Sequence, residues 1–358
     1  MESSSVTVMP TLVVSEQEWS AADVLRIVYL VFGLIGLFGN GLVLFVFIRV
    51  RSLRTITNLF IGNQSLIDLV SSIFILISKF RNEQTDFTKL SRGRGVFVCL
   101  FWSSDYIYWA LLVSSTTNLV FITLERYIAV VKPILYRKRV TWISATIVAI
   151  FPWVFGLIFE LFWPAVHRLV DGACYPDWRS PWIQALVGII VFEVEHILPI
   201  AVMILVYTGI VKKLRNKIGV DTSATKNGQQ RDVQQDGNGE VNRGPNRQPK
   251  QDQLPDLRQR VRSNVIKTLF LVAFVYIICW TPNQVIFLLY NLSLYDLDFN
   301  GVVYTLGVSL AFCNMWINPL IYTFKYRRFQ EGLKVVFCFA KKTQINMDSV
   351  TNTTNLRP

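Results

Sequence analysis

A few charged and amide side chains lie inside long apolar stretches of this chain, and they are the residues whose types and spacing could do chemistry. Asp68 stands in the apolar run beginning at Leu59, Glu125-Arg126-Tyr127 closes another, and Asn318-Pro319-Leu320-Ile321-Tyr322 breaks the last. Glu160 lies in a fourth run, and Glu195 and His196 in a fifth. An ionisable group in such a setting is costly, so it is kept where it pairs, meets an ion or changes partners. The chemistry on offer is recognition and switching of charge. Catalysis finds little support, because His167 and His196, the two histidines of the chain, offer neither zinc-ligand spacing nor a Ser-His-Asp set.

The elements that must position these groups follow from composition. Of 358 residues, 52% are apolar and 17% charged, and the mean hydropathy is +0.39, which makes a bilayer the natural solvent. A helix needs about 20 mostly apolar residues to span one. Seven stretches qualify: Val24–Val50, Leu59–Phe80, Val98–Val130, Trp142–Pro164, Trp182–Ile210, Val265–Leu292 and Val302–Phe324. No strand-like alternation suggests a barrel, so the expected fold is an all-α, seven-transmembrane helix bundle. With the N-terminus outside, 28 of the 36 basic residues fall on the inner side, which sets the N-out, C-in orientation. The +12 charge then faces anionic lipid and an intracellular partner. A nucleic-acid partner is disfavoured because the basic residues are divided among separate loops.

The expected organisation is an outer N-terminus over 1–23, the helical domain over 24–324, a surface helix over 325–340 and a cytoplasmic tail over 341–358. The acidic first segment has no basic n-region, so the first span is expected to act as signal anchor. Residues from about 220 to 256 are rich in Asn, Gln, Asp, Gly and Lys and predict a disordered third cytoplasmic loop. The basic stretch Lys325-Tyr326-Arg327-Arg328-Phe329 leads to Cys338, a juxtamembrane cysteine that is a candidate for lipidation.

Taken in order along the spans, Gly39-Asn40, Leu66-Ile67-Asp68, Glu125-Arg126-Tyr127, Trp153, Pro199 with Tyr207, Cys279-Trp280-Thr281-Pro282 and Asn318 to Tyr322 resemble the marks of rhodopsin-like G-protein-coupled receptors. The resemblance covers roughly residues 24–340. It implies a disulfide between Cys99 and Cys174 across the outer mouth. Cys99 precedes Arg126 by 27 residues, about two more than is usual in that family. It also implies a sodium ion at Asp68 with Ser115, Asn314 and Asn318, the set being oxygen donors suited to a hard cation. Arg126, held by Glu125, is expected to be released toward Tyr207 and an inserted G-protein helix, with Trp280 as a toggle beneath the ligand. Pro199, Pro282 and Pro319 are expected to act as hinges, together with Tyr127, Asn318 and Tyr322 in the switch. Tyr276, one turn below Trp280, reads as an ordinary core aromatic. Arrestin and receptor kinases are implied as further partners, and the plasma membrane as the location.

The pocket narrows the ligand. Phe312 stands where an opsin carries its retinal lysine, and Tyr108 where an amine receptor carries an aspartate, so both ligand classes are disfavoured. Glu195, His196 and Pro199 share a helical face, with Glu160 high in the fourth span and Asn283 and Gln284 above Trp280. Asp105 lies near Tyr108, and Tyr290 and Tyr304 rim the mouth. An acidic, amide-rich, aromatic cup suits a short basic or amidated peptide of the neuropeptide kind. A non-peptide small molecule is the second reading, and a seven-helix pump or channel a more distant third.

Overall fold

In the computed structural model, which describes residues 21–80, 87–213, 253–298 and 301–337, the long apolar stretches are helical. A helix satisfies its backbone polar groups internally, as lipid requires. The first two spans are α1 (Ala21–Arg49) and α2 (Ile56–Phe80). The third is assembled from α3 (Arg92–Val98), a π turn over Cys99–Ser103 and α4 (Tyr106–Val131). A short α5 (Pro133–Arg139) precedes α6 (Trp142–Phe159) and α7 (Phe162–Val166). The strands β1 (His167–Val170) and β2 (Ala173–Pro176) follow. The fifth span joins α8 (Pro181–Phe192), a second π turn over Glu193–Ile197, and α9, residues 198–213. The chain continues with α10 (Gln253–Asn291), α11 (Val302–Lys325) and α12 (Arg327–Phe337).

Among the described residues, six helical segments are long and apolar enough to cross a membrane. The seventh, α11, is more polar, and its polar residues Ser309, Asn314 and Asn318 are buried toward the bundle. Its 24 residues reach about 36 Å, enough for a hydrocarbon core of about 30 Å. Polarity is arranged for lipid throughout. Phe38, Ile143 and Leu205 are 72%, 75% and 72% exposed, whereas Asn40, Asp68 and Asn118 are fully buried. Glycine brings the third and fourth spans together: a Cβ on Gly156 would come within 2.2 Å of the Ala110 carbonyl oxygen. Small residues permit such backbone approach in bilayers, where packing drives helix association.

The third span departs from the single helix expected over Val98–Val130. The surplus residues between Cys99 and Arg126 are taken up by the π turn and by Asp105, which is left-handed at φ 56°. Aspartate tolerates that conformation better than most side chains. The outer loop also adds a two-stranded antiparallel hairpin to the expected all-helical fold. Its turn is Asp171-Gly172, with φ of 50° and 75°, the positive pair that two-residue hairpins require. The Cys99–Cys174 disulfide, with Cα atoms 5.6 Å apart, pins this hairpin to the start of the third span.

At the inner end, α12 leaves α11 at Tyr326, whose hydroxyl donates to Asn58 Oδ1 at 2.8 Å. Phe329 of α12 is fully buried against Phe47, ring centroids 5.8 Å apart, while Lys334 and Val335 face outward. Cys338, the tail, the N-terminal residues 1–20 and most of the third cytoplasmic loop lie outside the described residues.

Candidate functional site

Two buried polar assemblies lie at different depths of the bundle, with a third at its cytoplasmic end. The outermost is the cup. Glu160 caps the C-terminus of α6 and is 2% exposed. Glu195 lies in the π turn of the fifth span and is 5% exposed. The two carboxyls meet side chain to side chain. Away from water a pair of bare carboxylates repel, so such a pair is held by one shared proton or by a cation. Gln284 donates from Nε2 to Glu195 Oε2 at 2.8 Å. With both carboxyls ionised, Glu160 Oε2, Glu195 Oε1, Gln284 Oε1 and His196 Nδ1 are buried without a hydrogen-bond partner. That leaves an acceptor-rich cluster suited to a donor-rich cation.

The π turn has a sequence cause at its exit. In a helix the Glu195 carbonyl would accept from residue 199, but Pro199 has no N–H. The Tyr276 hydroxyl takes that place, donating to the Glu195 carbonyl at 2.5 Å. Tyr276, read from sequence as an ordinary core aromatic, therefore ties α10 to the fifth span beneath Trp280, ring centroids 5.9 Å apart. His196 packs against Phe192 with the rings tilted, centroids 5.3 Å apart, and faces Thr281 Oγ1 at 3.4 Å. Glu193, by contrast, is exposed on the opposite face.

The remaining cup residues are divided. Asn283 is buried and packs beside Gly307 of α11. Tyr290 and Tyr304 are half-buried near the outer ends of α10 and α11. Tyr108 is buried with its ring against Phe312 at 4.7 Å. Asp105 is exposed, and it lines a small cavity with Phe74, Phe101, Trp102 and Tyr108, between the second and third spans. The left-handed turn that restarts α4 sets its place there.

Deeper in the bundle, Asp68 is fully buried and accepts from Ser115 Oγ at 2.9 Å and Asn318 Nδ2 at 3.0 Å. The oxygen set expected to hold sodium is thus partly assembled, with Asn314 Oδ1 and Asn318 Oδ1 buried and unpartnered. Gln64, which sequence reading overlooked, does not fit that role for the set. Its amide nitrogen lies 3.2 and 3.3 Å from the two Asp68 oxygens and also donates to Ser115. A spacing of four residues from Asp68 on one helical face was the signal that could have found it.

At the cytoplasmic end Arg126 makes a two-point contact with Glu125, Nε to Oε2 and Nη2 to Oε1, both at 2.5 Å. Glu125 Oε1 also accepts from Thr57 Oγ1 at 3.2 Å and Tyr136 Oη at 2.5 Å, and Arg126 donates to Thr57. Burial, reinforced by the Glu125 charge, holds the Tyr136 phenol well above its ordinary range, so it is a fixed donor. No sequence signal marked Tyr136, which reaches Glu125 from α5. The hydroxyls of Tyr207 and Tyr322 are buried without partners. Tyr127 sits against Gly209 of α9. Pro282 and Pro319 lie inside α10 and α11, which continue through them.

Comparison with known proteins fits this architecture. The model of the 7 transmembrane receptor (rhodopsin family) matches residues 39–322. Galanin receptor 2b of Danio rerio is 26% identical, over 94% of this chain and 81% of its own length. Tachykinin-like peptides receptor 99D of Drosophila melanogaster is 24% identical over 89% of this chain, which spans 57% of that longer protein. Pyroglutamylated RF-amide peptide receptor of Rattus norvegicus is 23% identical, over 88% of this chain and 70% of its own length. With seven helices in order, a pinned outer hairpin and an acid–arginine pair at the inner end of the third span, the chain belongs to the rhodopsin family of seven-transmembrane receptors.

Proposed function

We propose that this receptor sits in the plasma membrane and binds a short extracellular peptide carrying a cationic group, basic or amidated, in the cup between the third and seventh spans. The observation that carries the reading is the buried Glu160–Glu195 pair with Gln284. Its unpartnered oxygens sit in a nearly water-free site, where a cation would replace a shared proton and gain charge-assisted hydrogen bonds. The relatives named above are receptors for galanin, tachykinin-like and RF-amide peptides, which supports a peptide over another small organic ligand.

Ligand entry above Trp280 acts on the fifth and sixth spans, which Tyr276 joins at the Glu195 carbonyl. A shift there is transmitted to the inner end, where Arg126 leaves Glu125 for Tyr207 and a G-protein helix. The ligand moves this equilibrium only by as much as it prefers the released state. Heterotrimeric G proteins are the direct partners, and arrestin and receptor kinases are further ones in this reading. The test is a screen of basic and amidated peptides on cells expressing the receptor, reading cAMP, calcium and G-protein dissociation together. A dose-dependent response to a cationic peptide, absent from cells without the receptor, supports the reading. Responses only to neutral, non-peptide compounds would replace it.

A further inference from the structure

We propose that Gln64 closes the ion site of this receptor, so that a side-chain amide holds Asp68 where a sodium ion would have to stand. The Trp153 indole N–H is a donor and nothing else. It donates to Asn63 Oδ1 at 3.0 Å. The Asn63 nitrogen must then face the other way, and it donates to Asn118 Oδ1 at 2.8 Å and to the Ala149 carbonyl at 2.9 Å. That turns Asn118, whose nitrogen donates to the Phe60 carbonyl at 3.1 Å and to Gln64 Oε1 at 2.9 Å. With its oxygen engaged, Gln64 has only its NH2 to offer Asp68 and Ser115. Amide oxygen and nitrogen are told apart by their partners, and here each orientation is fixed by the one before it.

At Asp68 three donor groups meet the carboxylate. Gln64 Nε2 lies 3.2 Å from Oδ1 and 3.3 Å from Oδ2, Ser115 Oγ adds a bond at 2.9 Å, and Asn318 Nδ2 one at 3.0 Å. A carboxylate offers about four acceptor sites. For a cation to enter, the Gln64 amide would have to present its oxygen instead. That turn would set its nitrogen against the Asn118 nitrogen and break the chain back to Trp153, leaving buried groups unpaired. Gln64 and Asn118 are 1% and 0% exposed, so no solvent is at hand to replace the lost bonds. The oxygens left over, Asn314 Oδ1 and Asn318 Oδ1, are neutral and weak alone toward a hard cation. The resting bundle is therefore held by Gln64 and does not respond to sodium.

Thermal unfolding of the purified full chain in detergent tests this, comparing sodium chloride with N-methylglucamine chloride at equal ionic strength. The wild-type midpoint should be the same in both salts. Gln64→Leu removes the amide at similar volume and should gain a sodium-dependent rise of about 2 °C or more. The rise should vanish when Asp68→Asn is added. A wild-type midpoint that rises with sodium, and stops doing so in Asp68→Asn, overturns the proposal. So does a folded Gln64→Leu protein indifferent to sodium. Should Gln64→Leu fail to fold, Gln64→Met makes the same test, and the wild-type comparison stands alone against the proposal.

Discussion

The Tyr276 hydroxyl donates to the Glu195 backbone carbonyl at 2.5 Å, joining the sixth span to the fifth where Pro199 leaves that carbonyl without its helical donor. Helix breakers are tolerated in bundles when a neighbour supplies the missing bond. This bond lies just beneath Trp280, itself below the ligand cup, so it is placed to carry movement.

Tyr276→Phe should leave the Glu195 carbonyl buried and unpaired, at a cost of about 1–3 kcal/mol. Thermal unfolding in detergent should show the loss with no change in the amount of surface disulfide. A midpoint equal to wild type would mean that water or a shifted turn replaces the hydroxyl.

Glu125 gathers Arg126, Thr57 and Tyr136 at the inner end. Glu125→Gln removes the charge that holds Arg126 and should raise ligand-free nucleotide exchange on G proteins. Tyr136→Phe should raise it less, about twofold to tenfold if one hydrogen bond of about 0.5–1.5 kcal/mol favours the resting state. Arg126→Ala should keep ligand binding and lose exchange. Basal exchange unmoved by Glu125→Gln would remove the pair from the switch.

Cys174→Ala frees the hairpin from the third span. Its partner Cys99 is 75 residues away, and closing a loop of that size stabilises by about 4 kcal/mol on chain-entropy grounds. Surface expression should drop sharply, as should peptide binding. Full expression together with free labelling of both thiols in the wild-type protein would contradict the bridge.

His167 gives the hairpin a pH dependence. Burial holds its imidazole below the ordinary range, against a partly offsetting bond from Nδ1 to the Trp163 carbonyl at 2.8 Å. The folded hairpin thus binds a proton less readily than the unfolded chain. Its contribution is full above the unfolded value of about 6.5 and is lost as pH falls below it. Between pH 7.5 and 5.5 the unfolding midpoint should fall further in wild type than in His167→Gln. Parallel curves would exclude the histidine.

Much of this was legible in the sequence, for reasons that also mark where reading stops. Length and hydropathy suffice for six of the spans, and the seventh, α11, follows because its polar residues turn into the bundle. The helical face of Glu195 and His196 was readable, but that Glu195 meets Glu160 and Gln284 is set by how the spans pack. Pro199 announced an orphan carbonyl, but only the packing of α10 names Tyr276 as its donor. The two surplus residues between Cys99 and Arg126 were visible in the spacing, but not that a π turn and a left-handed Asp105 would absorb them. Tyr136 reaches Glu125 from a separate helix, a contact that spacing along one helix cannot reveal. Asp105, expected near Tyr108, lines a small cavity with it at the left-handed turn, a backbone form that the sequence did not announce.

The central claim is that the Glu160–Glu195 pair reads a cation on the ligand. For an activating peptide from the screen, its lysine or arginine is replaced by glutamine, and both peptides are bound to wild-type receptor and to Glu195→Gln. The cationic peptide should lose about 2–5 kcal/mol of affinity on Glu195→Gln, the range for truncating a buried charge pair, whereas the neutral analogue should lose almost nothing. Equal losses for the two peptides would contradict the claim, because Glu195 would then hold the bundle without reading the ligand.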